Sequence, residues 1–185
     1  MRGLVIGTVV AATTTSLAAA PLVVPQVGAA IHCDGELDEV AWRSPARTGP
    51  FVDAKGETAA PYSEARFLRD DTNLYLALYA ADEDIRSTDE FVVQLGSGSS
   101  QMTLHFTAAG KLVPAIAGAK VGVDLDGNLD DASNDDEEWV IEASIPLARL
   151  PFGRDGTLEA RVSRCDTPKD HIKRCGAWMG RIVRR

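Results

Sequence analysis

The densest group of potentially reactive side chains lies in the segment CDGELDEVAW, residues 33–42. Its four carboxylates fall within six positions: Asp34, Glu36, Asp38 and Glu39. Glycoside hydrolysis needs two carboxyl groups on either side of one bond, and four acids on a single turn do not provide that. The pattern favours a tight turn at Asp34 and Gly35, followed by a short helix that Asp38 caps and that directs Trp42 into the core. A metal-ligand role for one of the acids is the alternative.

A second acidic segment, DLDGNLDDASNDDEEW, has the spacing of a calcium loop. Oxygen-bearing side chains recur at every second position: Asp124, Asp126, Asn128 and Asp130. Residues 124–138 include eight acids and no base, so a bound cation would relieve their repulsion. The segment is not an EF-hand, because Gly127 takes the fourth place and Asp135 replaces the glutamate of the twelfth. The spacing predicts a calcium site at these four residues, with a solvated acidic loop as the alternative.

The cysteines predict one disulfide bond. Cys165 and Cys175 bracket the polar loop DTPKDHIKR, which suits a surface excursion held shut by a bridge. We expect Cys33 to be a small buried thiol at the end of a strand. The sequence has no Cys-x-x-Cys motif, and its three histidines lack the spacing of metal ligands.

The first twenty residues resemble a secretory signal peptide. Arg2 is their only charge, an apolar stretch follows, and Ala18-Ala19-Ala20 offers a cleavage site, so we expect the mature chain to begin near Pro21. A buried helix or strand is the alternative. The apolar stretch is too short and too rich in threonine to span a bilayer. We therefore expect a secreted, periplasmic or cell-surface protein with a signal peptide, 1–20, and one domain, 21–185.

Length and charge narrow the function classes. The 185 residues allow one domain with a core of its own. The net charge of -8 argues against a nucleic-acid-binding surface. Because the sequence offers no nucleophile–base pair and no pair of catalytic carboxylates, we expect a protein without enzymatic activity.

Hydrophobic alternation predicts an all-β domain with little helix. Short strands with apolar residues at every second position favour an antiparallel two-sheet β-sandwich. One helical turn is expected at 38–43 and another at 146–150. The strand segments are YSEARFLRD, NLYLALYAAD (a central strand, because both faces are apolar), DEFVVQLG, QMTLHFTAAG, EEWVIEASIP and TLEARVSRC.

Five segments in order resemble the family 9 carbohydrate-binding modules. They are IHCDGELDEVAW, RFLRDDTNLYLALYAAD, DEFVVQL, LDDASNDDEEWVIEASIPLARL and RVSRCDTP. The resemblance covers about residues 31–185 and implies a DOMON-like β-sandwich, a class that binds sugars or haem without catalysis. It implies a secreted, non-catalytic glycan-binding protein associated with carbohydrate catabolism. Reuse of the fold for interaction with a protein partner at the cell surface is the alternative, and haem binding is a further one.

The resemblance also directs attention to particular side chains. Trp42 and Trp139 belong to its structural blocks, so we expect both to be buried and Trp178 to contact a ligand. The alternative for Trp178 is that it closes the core at the edge of the last strand. Arg86 and Tyr62 are the expected neighbours of that ligand. Sugar-binding members carry a second tryptophan where this chain reads DIRSTD, so the two-sided aromatic clamp is absent.

Haem would need an axial pair of ligands. Met102 and His105 lie on opposite faces of one predicted strand, so they cannot hold one iron from two sides. Met179 and His171 are the remaining candidates, and nothing in the sequence singles them out.

Overall fold

The computed structural model describes residues 20–184, so residues 1–19 of the predicted signal peptide lie outside the described chain. No helix in the described part is long and apolar enough to cross a membrane. Two 3₁₀ turns, Val40–Arg43 and Leu147–Arg149, lie where the sequence predicts helical turns. The strands of the described chain are β1 (Leu22–Val24), β2 (Ala46–Arg47), β3 (Ser63–Arg69), β4 (Asn73–Ala81), β5 (Glu90–Ser97), β6 (Ser100–Thr107), β7 (Leu112–Val113), β8 (Lys120–Asp126), β9 (Glu138–Pro146), β10 (Thr157–Asp166) and β11 (Arg174–Arg184).

These strands form two stacked sheets. The six-stranded sheet has the order β1-β11-β10-β5-β6-β7, and the five-stranded sheet has the order β2-β3-β4-β9-β8. The strand pairs of both sheets are antiparallel except β1 with β11. The predicted two-sheet β-sandwich is therefore confirmed, and β4 is the central strand of its sheet, as its two apolar faces predict.

The core lies between the two sheets and follows the predicted alternation. Trp139 and its partners at every second position of β9 are fully buried, and so are the inward residues of β4 and β5. The rings of Phe91 and Trp139 meet across the sheets with centroids 5.1 Å apart. Burial of such large rings removes much apolar surface from water and stabilises the stacked arrangement.

Residues 31–43, which we call the N-terminal turn, pack on the outer face of the five-stranded sheet, outside the main core. Trp42 is 2% exposed and packs there against Leu68 and Tyr75. Its Nε1 donates to the buried Glu142 carboxylate at 2.7 Å, and the N–H groups of Asp34 and Gly35 donate to the same carboxylate. Trp42 is thus buried as predicted, but in a second apolar cluster that this turn creates.

Two details of the N-terminal turn differ from the prediction. Asp38 does not cap the helical turn. The residue before the turn is Glu39, and its side chain makes no capping bond. The Trp42 N–H donates to the Glu39 backbone carbonyl within the single 3₁₀ turn. The Glu39 side chain instead accepts the His32 N–H at 2.8 Å. Cys33 is a free, half-buried thiol, as expected, but it lies in an extended segment outside any strand. Burial raises the pKa of this thiol.

Strand β8 was missed by the sequence analysis. Asp124 and Asp126 are exposed, while Leu125 between them packs against the core. The alternation of Asp124 and Asp126 is therefore the outward face of an edge strand, where charged side chains are common. The period of a β-strand explains this first half of the spacing that resembles a calcium loop, whereas Asn128 and Asp130 lie in the loop after β8.

Candidate functional site

A buried charged network lies at the end of the sandwich where β4, β10 and β11 meet the loops. Arg164 Nη2 lies 2.6 Å from Asp82 Oδ2 and 3.3 Å from Asp166 Oδ1, and these three side chains are almost inaccessible to solvent. Asp82 Oδ2 also accepts the Trp139 indole N–H at 3.1 Å. The guanidinium stands 5.7 Å from the centre of the Trp139 ring. We call this end of the molecule the loop end.

The network follows from the alternation of β10. Leu158, Ala160 and Val162 point inward, and the same period places Arg164 and Asp166 inside. A buried charge is tolerated only when it is paired and hydrogen-bonded. Arg164 meets this requirement through Asp82 and through the carbonyl of Ala81 at 3.0 Å.

Carboxylates outnumber guanidinium groups at the loop end. Asp82, Asp89 and Asp166 offer oxygen atoms within 4.8 Å of one another, and no other part of the described chain has such a group. Burial, with the charge of Asp82, raises the pKa of Asp89 to about 7. Burial also raises the pKa of Asp166. The group has the spacing to hold one cation, and the Arg164 guanidinium already supplies a positive charge there.

Asp136 fixes the two loops that form the rim of the loop end. This buried carboxylate accepts Ile85 N–H at 2.8 Å and Asn128 N–H at 2.9 Å. Gly127 makes the close approach possible, since a Cβ at that position would lie 2.4 Å from Asp136 Oδ1. The β4–β5 loop and the β8–β9 loop are therefore tied to one carboxylate.

The disulfide loop, residues 165–175, projects from the same end. The sulfur atoms of Cys165 and Cys175 are bonded at 2.01 Å, as the sequence predicts. Arg174 pairs with Asp170 at 2.5 Å, and this pairing lowers the pKa of Asp170 to about 2. Lys169 reaches across to Asp135 at 2.6 Å. The bridge and these ion pairs hold the loop against the rim.

A surface cleft of about 420 Å³ opens between this loop and the rim. We call it the loop-end cleft. Its polar lining offers several carboxylate acceptors and one guanidinium donor, and its described lining contains no aromatic ring. The polar lining residues are Asp82, Glu83, Asp136, Glu137, Asp170 and Arg174. Such a lining suits a small ligand with many hydroxyl groups, which both donate and accept hydrogen bonds.

Trp178, the expected ligand platform, lies on the inward face of β11. Its ring is half-buried, packs on the core and lies 6.3 Å from the Phe67 ring centre. A Cβ on Gly180 would lie 2.4 Å from the Trp178 ring, so the glycine gives the indole its space. These contacts give Trp178 a packing role, and its contact with a ligand stays a prediction.

Arg86 and Tyr62 have surroundings different from those of Trp178. Arg86 lies in the β4–β5 loop at the loop end, where it pairs with Asp84 at 2.6 Å. Tyr62 precedes β3, is 38% exposed and donates its hydroxyl to Glu64 at 3.0 Å. The structure therefore does not bring together the three residues expected to contact one ligand, Trp178, Arg86 and Tyr62.

The four predicted calcium ligands are spread along β8 and the loop after it. Asp124 and Asp126 follow the strand, whereas Asp130 turns back to accept the Ser87 N–H at 2.9 Å. Their carboxylates are not part of the one close group that the described chain contains, which lies at the loop end. Calcium binding by Asp124, Asp126, Asn128 and Asp130 stays a prediction.

The residues weighed as haem ligands are also apart. Met102 packs against the core, and His105 on the opposite face of β6 pairs with Glu90 at 3.0 Å. Met179 is 70% exposed on the outer face of β11, and His171 lies in the disulfide loop. Met102 and His105 therefore lie on opposite faces of β6, as predicted, and Met179 and His171 lie on different elements.

The fold resembles solved carbohydrate-binding modules. A family 9 module from Caldicellulosiruptor kristjanssonii in complex with cellotriose is 13% identical, with a TM-score of 0.66 over 90% of this chain and 94% of that one. A family 9 module from the same organism in complex with glucose is 12% identical, with a TM-score of 0.63 over 88% and 95%. A Bacteroides uniformis structure is 14% identical, with a TM-score of 0.60 over 89% and 99%.

No protein-family model matches the chain, and no curated protein matches it. At such low identity the structural likeness establishes the fold, while function must be argued from the sites. The described chain is a β-sandwich domain with the fold of the family 9 carbohydrate-binding modules.

Proposed function

We propose that this protein is a non-catalytic glycan-binding module. The observation that carries the proposal is the loop-end cleft, in which the exposed Glu83 and Glu137 carboxylates and the Asp170–Arg174 ion pair face solvent on a rigid sandwich. Carboxylates accept hydrogen bonds from sugar hydroxyls and guanidinium groups donate to sugar oxygens. Family 9 modules of the same fold are solved with cellotriose and with glucose, which supports a glycan as the ligand.

The rigidity of the cleft supports binding. The disulfide at Cys165 and the ion pair between Arg174 and Asp170 hold one wall, and Asp136 holds the other. A preformed site loses less conformational entropy when a ligand binds. Since no ring in the described lining can stack on a sugar, we expect recognition by hydrogen bonds and an affinity weaker than that of an aromatic clamp.

We further propose that the protein acts outside the cytoplasm, in the breakdown of carbohydrates. The Cys165–Cys175 disulfide suits an oxidising compartment, and the first twenty residues have the composition of a secretory signal peptide. A module of this kind would hold an associated glycosidase on its polysaccharide. This chain needs no catalytic residue for that task.

A glycan array probed with residues 21–185 tests the proposal. We expect selective binding to a class of neutral glycans. Arg174→Ala should lower the affinity at least about tenfold, because a hydrogen bond from a charged donor contributes roughly 1.5–3 kcal/mol. The matched control is Arg161→Ala on the outer face of β10, which should bind like the parent protein. Uniform failure to bind across the array would contradict the proposal.

A further inference from the structure

The outer face of the five-stranded sheet is only partly covered. The N-terminal turn covers the part around Tyr75 and Ala77. Toward the loop end, the next outward row consists of Tyr79, Val140 and Asp124 on three neighbouring strands. Asp124 is exposed and Tyr79 is half-buried, whereas Val140 between them is buried. The edge of the N-terminal turn therefore lies beside a partly exposed part of the sheet.

A cleft of about 410 Å³ lies in this corner. We call it the outer-face cleft. Its volume falls within the range of about 300–1,000 Å³ that is usual for small-molecule sites. The lining residues that carry the argument are Leu37, Asp38, Arg66, Tyr79, Asp124 and Glu138.

The wall of this cleft is fixed in position by close backbone contacts. A Cβ on Gly122 would lie 2.4 Å from the Asp34 Cα, and a Cβ on Gly35 would lie 2.1 Å from the Asp124 nitrogen. Gly35 also has a φ of 102°, which other residues rarely adopt. The Glu142 carboxylate accepts the N–H groups of Asp34 and Gly35. The turn and the sheet thus form one rigid surface.

The Tyr79 ring lines this cleft, and the neighbouring Tyr62 ring supports it. Tyr62 and Tyr79 pack edge to face, with ring centres 5.8 Å apart. The Tyr62 hydroxyl donates to the buried Glu64, and the Tyr79 hydroxyl donates to Glu138. Burial and the bond to Glu138 raise the pKa of Tyr79 to about 12, so it stays a neutral phenol at physiological pH. A tyrosine ring that is held by the backbone at one end and by its hydroxyl hydrogen bond at the other loses little conformational freedom when a ligand stacks on it.

The charges around the cleft select against anionic ligands. Asp38, Asp124 and Glu138 line it, and the Arg66 guanidinium is already paired with Glu64 at 2.5 Å. The lining carboxylates do not converge into a close group of the kind that the described chain has at its loop end. Separate acceptors around an aromatic ring match the separate hydroxyls of a sugar better than a single ion.

We propose that the outer-face cleft is a second glycan site, which binds an uncharged sugar residue. The C–H face of the sugar lies against the Tyr79 ring, and its hydroxyls donate to Asp38 and Asp124. Uronic acids and sulfated sugars are rejected, because their charge would lie beside carboxylates of the same sign. This inference rests on the proposed glycan-binding function but uses none of the residues of the loop-end cleft.

Calorimetric titration with uncharged trisaccharides tests this assignment. The probes are cellotriose, xylotriose and mannotriose, with trigalacturonic acid as the charged counterpart. Asp124→Asn keeps the size of an exposed side chain and removes one charged acceptor. We expect Asp124→Asn to lower the affinity of the outer-face cleft about tenfold or more and to leave the loop-end cleft unchanged. Tyr79→Ala should have the same effect. Tyr79→Phe keeps the ring and should bind within a few-fold of the parent protein.

The two clefts are separated by comparing these variants with Arg174→Ala. If Arg174→Ala abolishes all binding while Asp124→Asn has no effect, the outer-face cleft is not a glycan site and the proposed function stands. If Asp124→Asn abolishes all binding, the outer-face cleft is the site and the loop-end cleft is not. Equal affinity for trigalacturonic acid would contradict the charge selection. Failure of all three uncharged probes would contradict both sites.

Discussion

Two groups of carboxylates in this molecule are used in opposite ways. In the N-terminal turn, Asp34 and Glu36 are exposed, and the Asp34 carboxylate accepts the Glu36 N–H at 3.0 Å and pairs with His32 at 2.8 Å. At the loop end, Asp82 and Asp166 are each 3% exposed, and both pair with the Arg164 guanidinium. The first group bonds to neighbours in sequence, whereas the second holds together segments 84 positions apart, from 82 to 166.

The difference shows where charge matters for the stability of this fold. An exposed carboxylate keeps its hydration whether or not it has a partner, so its ion pairs contribute little. A buried carboxylate has lost that hydration and depends on its partners. We therefore expect the loop end to be sensitive to the loss of a single charge and the exposed acids of the N-terminal turn to be tolerant.

The largest effect is expected from Arg164→Met. The substitution keeps an unbranched side chain but leaves Asp82 and Asp166 buried without their guanidinium. Loss of one partner of a buried pair costs about 3–5 kcal/mol. The free energy of unfolding from urea denaturation measures it, with the exposed Arg43→Met as the control. A loss below about 1 kcal/mol would show that the network is hydrated and not buried.

A smaller loss is expected from Trp178→Ala. The indole packs on the core and against Phe67 but is only half-buried. We expect the free energy of unfolding to fall by about 2–3 kcal/mol, less than the roughly 3–5 for a fully buried ring. Unchanged glycan affinity in the folded variant would leave Trp178 with a packing role alone. Lost binding with full stability would instead make Trp178 a ligand platform.

Removal of the disulfide should destabilise the domain and loosen the loop end most. Replacing Cys165 and Cys175 with serine opens a loop of sequence separation 10 and should lower the free energy of unfolding by about 2–3 kcal/mol by the chain-entropy estimate. Hydrogen exchange should quicken more in residues 166–174 than in residues 33–42, because the loop also opens locally. Equal acceleration in both regions would mean that the bridge acts only on the unfolded state and does not hold the loop end in place.

The smallest effect concerns pH. Burial raises the pKa of Asp89 to about 7 and that of Glu142 to about 7. The folded state therefore binds more protons than the unfolded state between about pH 4.5 and pH 7, so stability falls as pH rises through this interval. We expect the melting temperature to decline over this window and the slope to flatten in Asp89→Asn. A rise in the melting temperature would contradict the burial of both groups.

The contrast between the two regions also explains what the sequence could predict. The alternation in EEWVIEASIP correctly predicts β9 and the burial of Trp139. Apolar residues at every second position of a strand indicate which of its faces is buried. The acids of the N-terminal turn also act locally, so the tight turn at Asp34 and Gly35 was predictable, although the predicted capping role of Asp38 was wrong. The Cys165–Cys175 bond follows from the composition of the loop that it closes.

The loop-end network was missed because its members are scattered. Asp82, Asp136 and Arg164 belong to three segments that only the pairing of the strands brings together. One local sign was present: Arg164 continues the inward alternation of Val162, so a charge had to enter the core. Strand β8 was missed for the opposite reason, since the exposed acids of an edge strand have the same period as a calcium loop.

Nuclear magnetic resonance mapping of a bound glycan tests the central claim most directly. Titration of ¹⁵N-labelled protein with cellotriose, and with the strongest ligand from the array, reports binding residue by residue. Glycan binding at the loop-end cleft predicts saturable shifts at Glu83, Asp170 and Arg174. Saturation without any shift at those three residues would contradict the account.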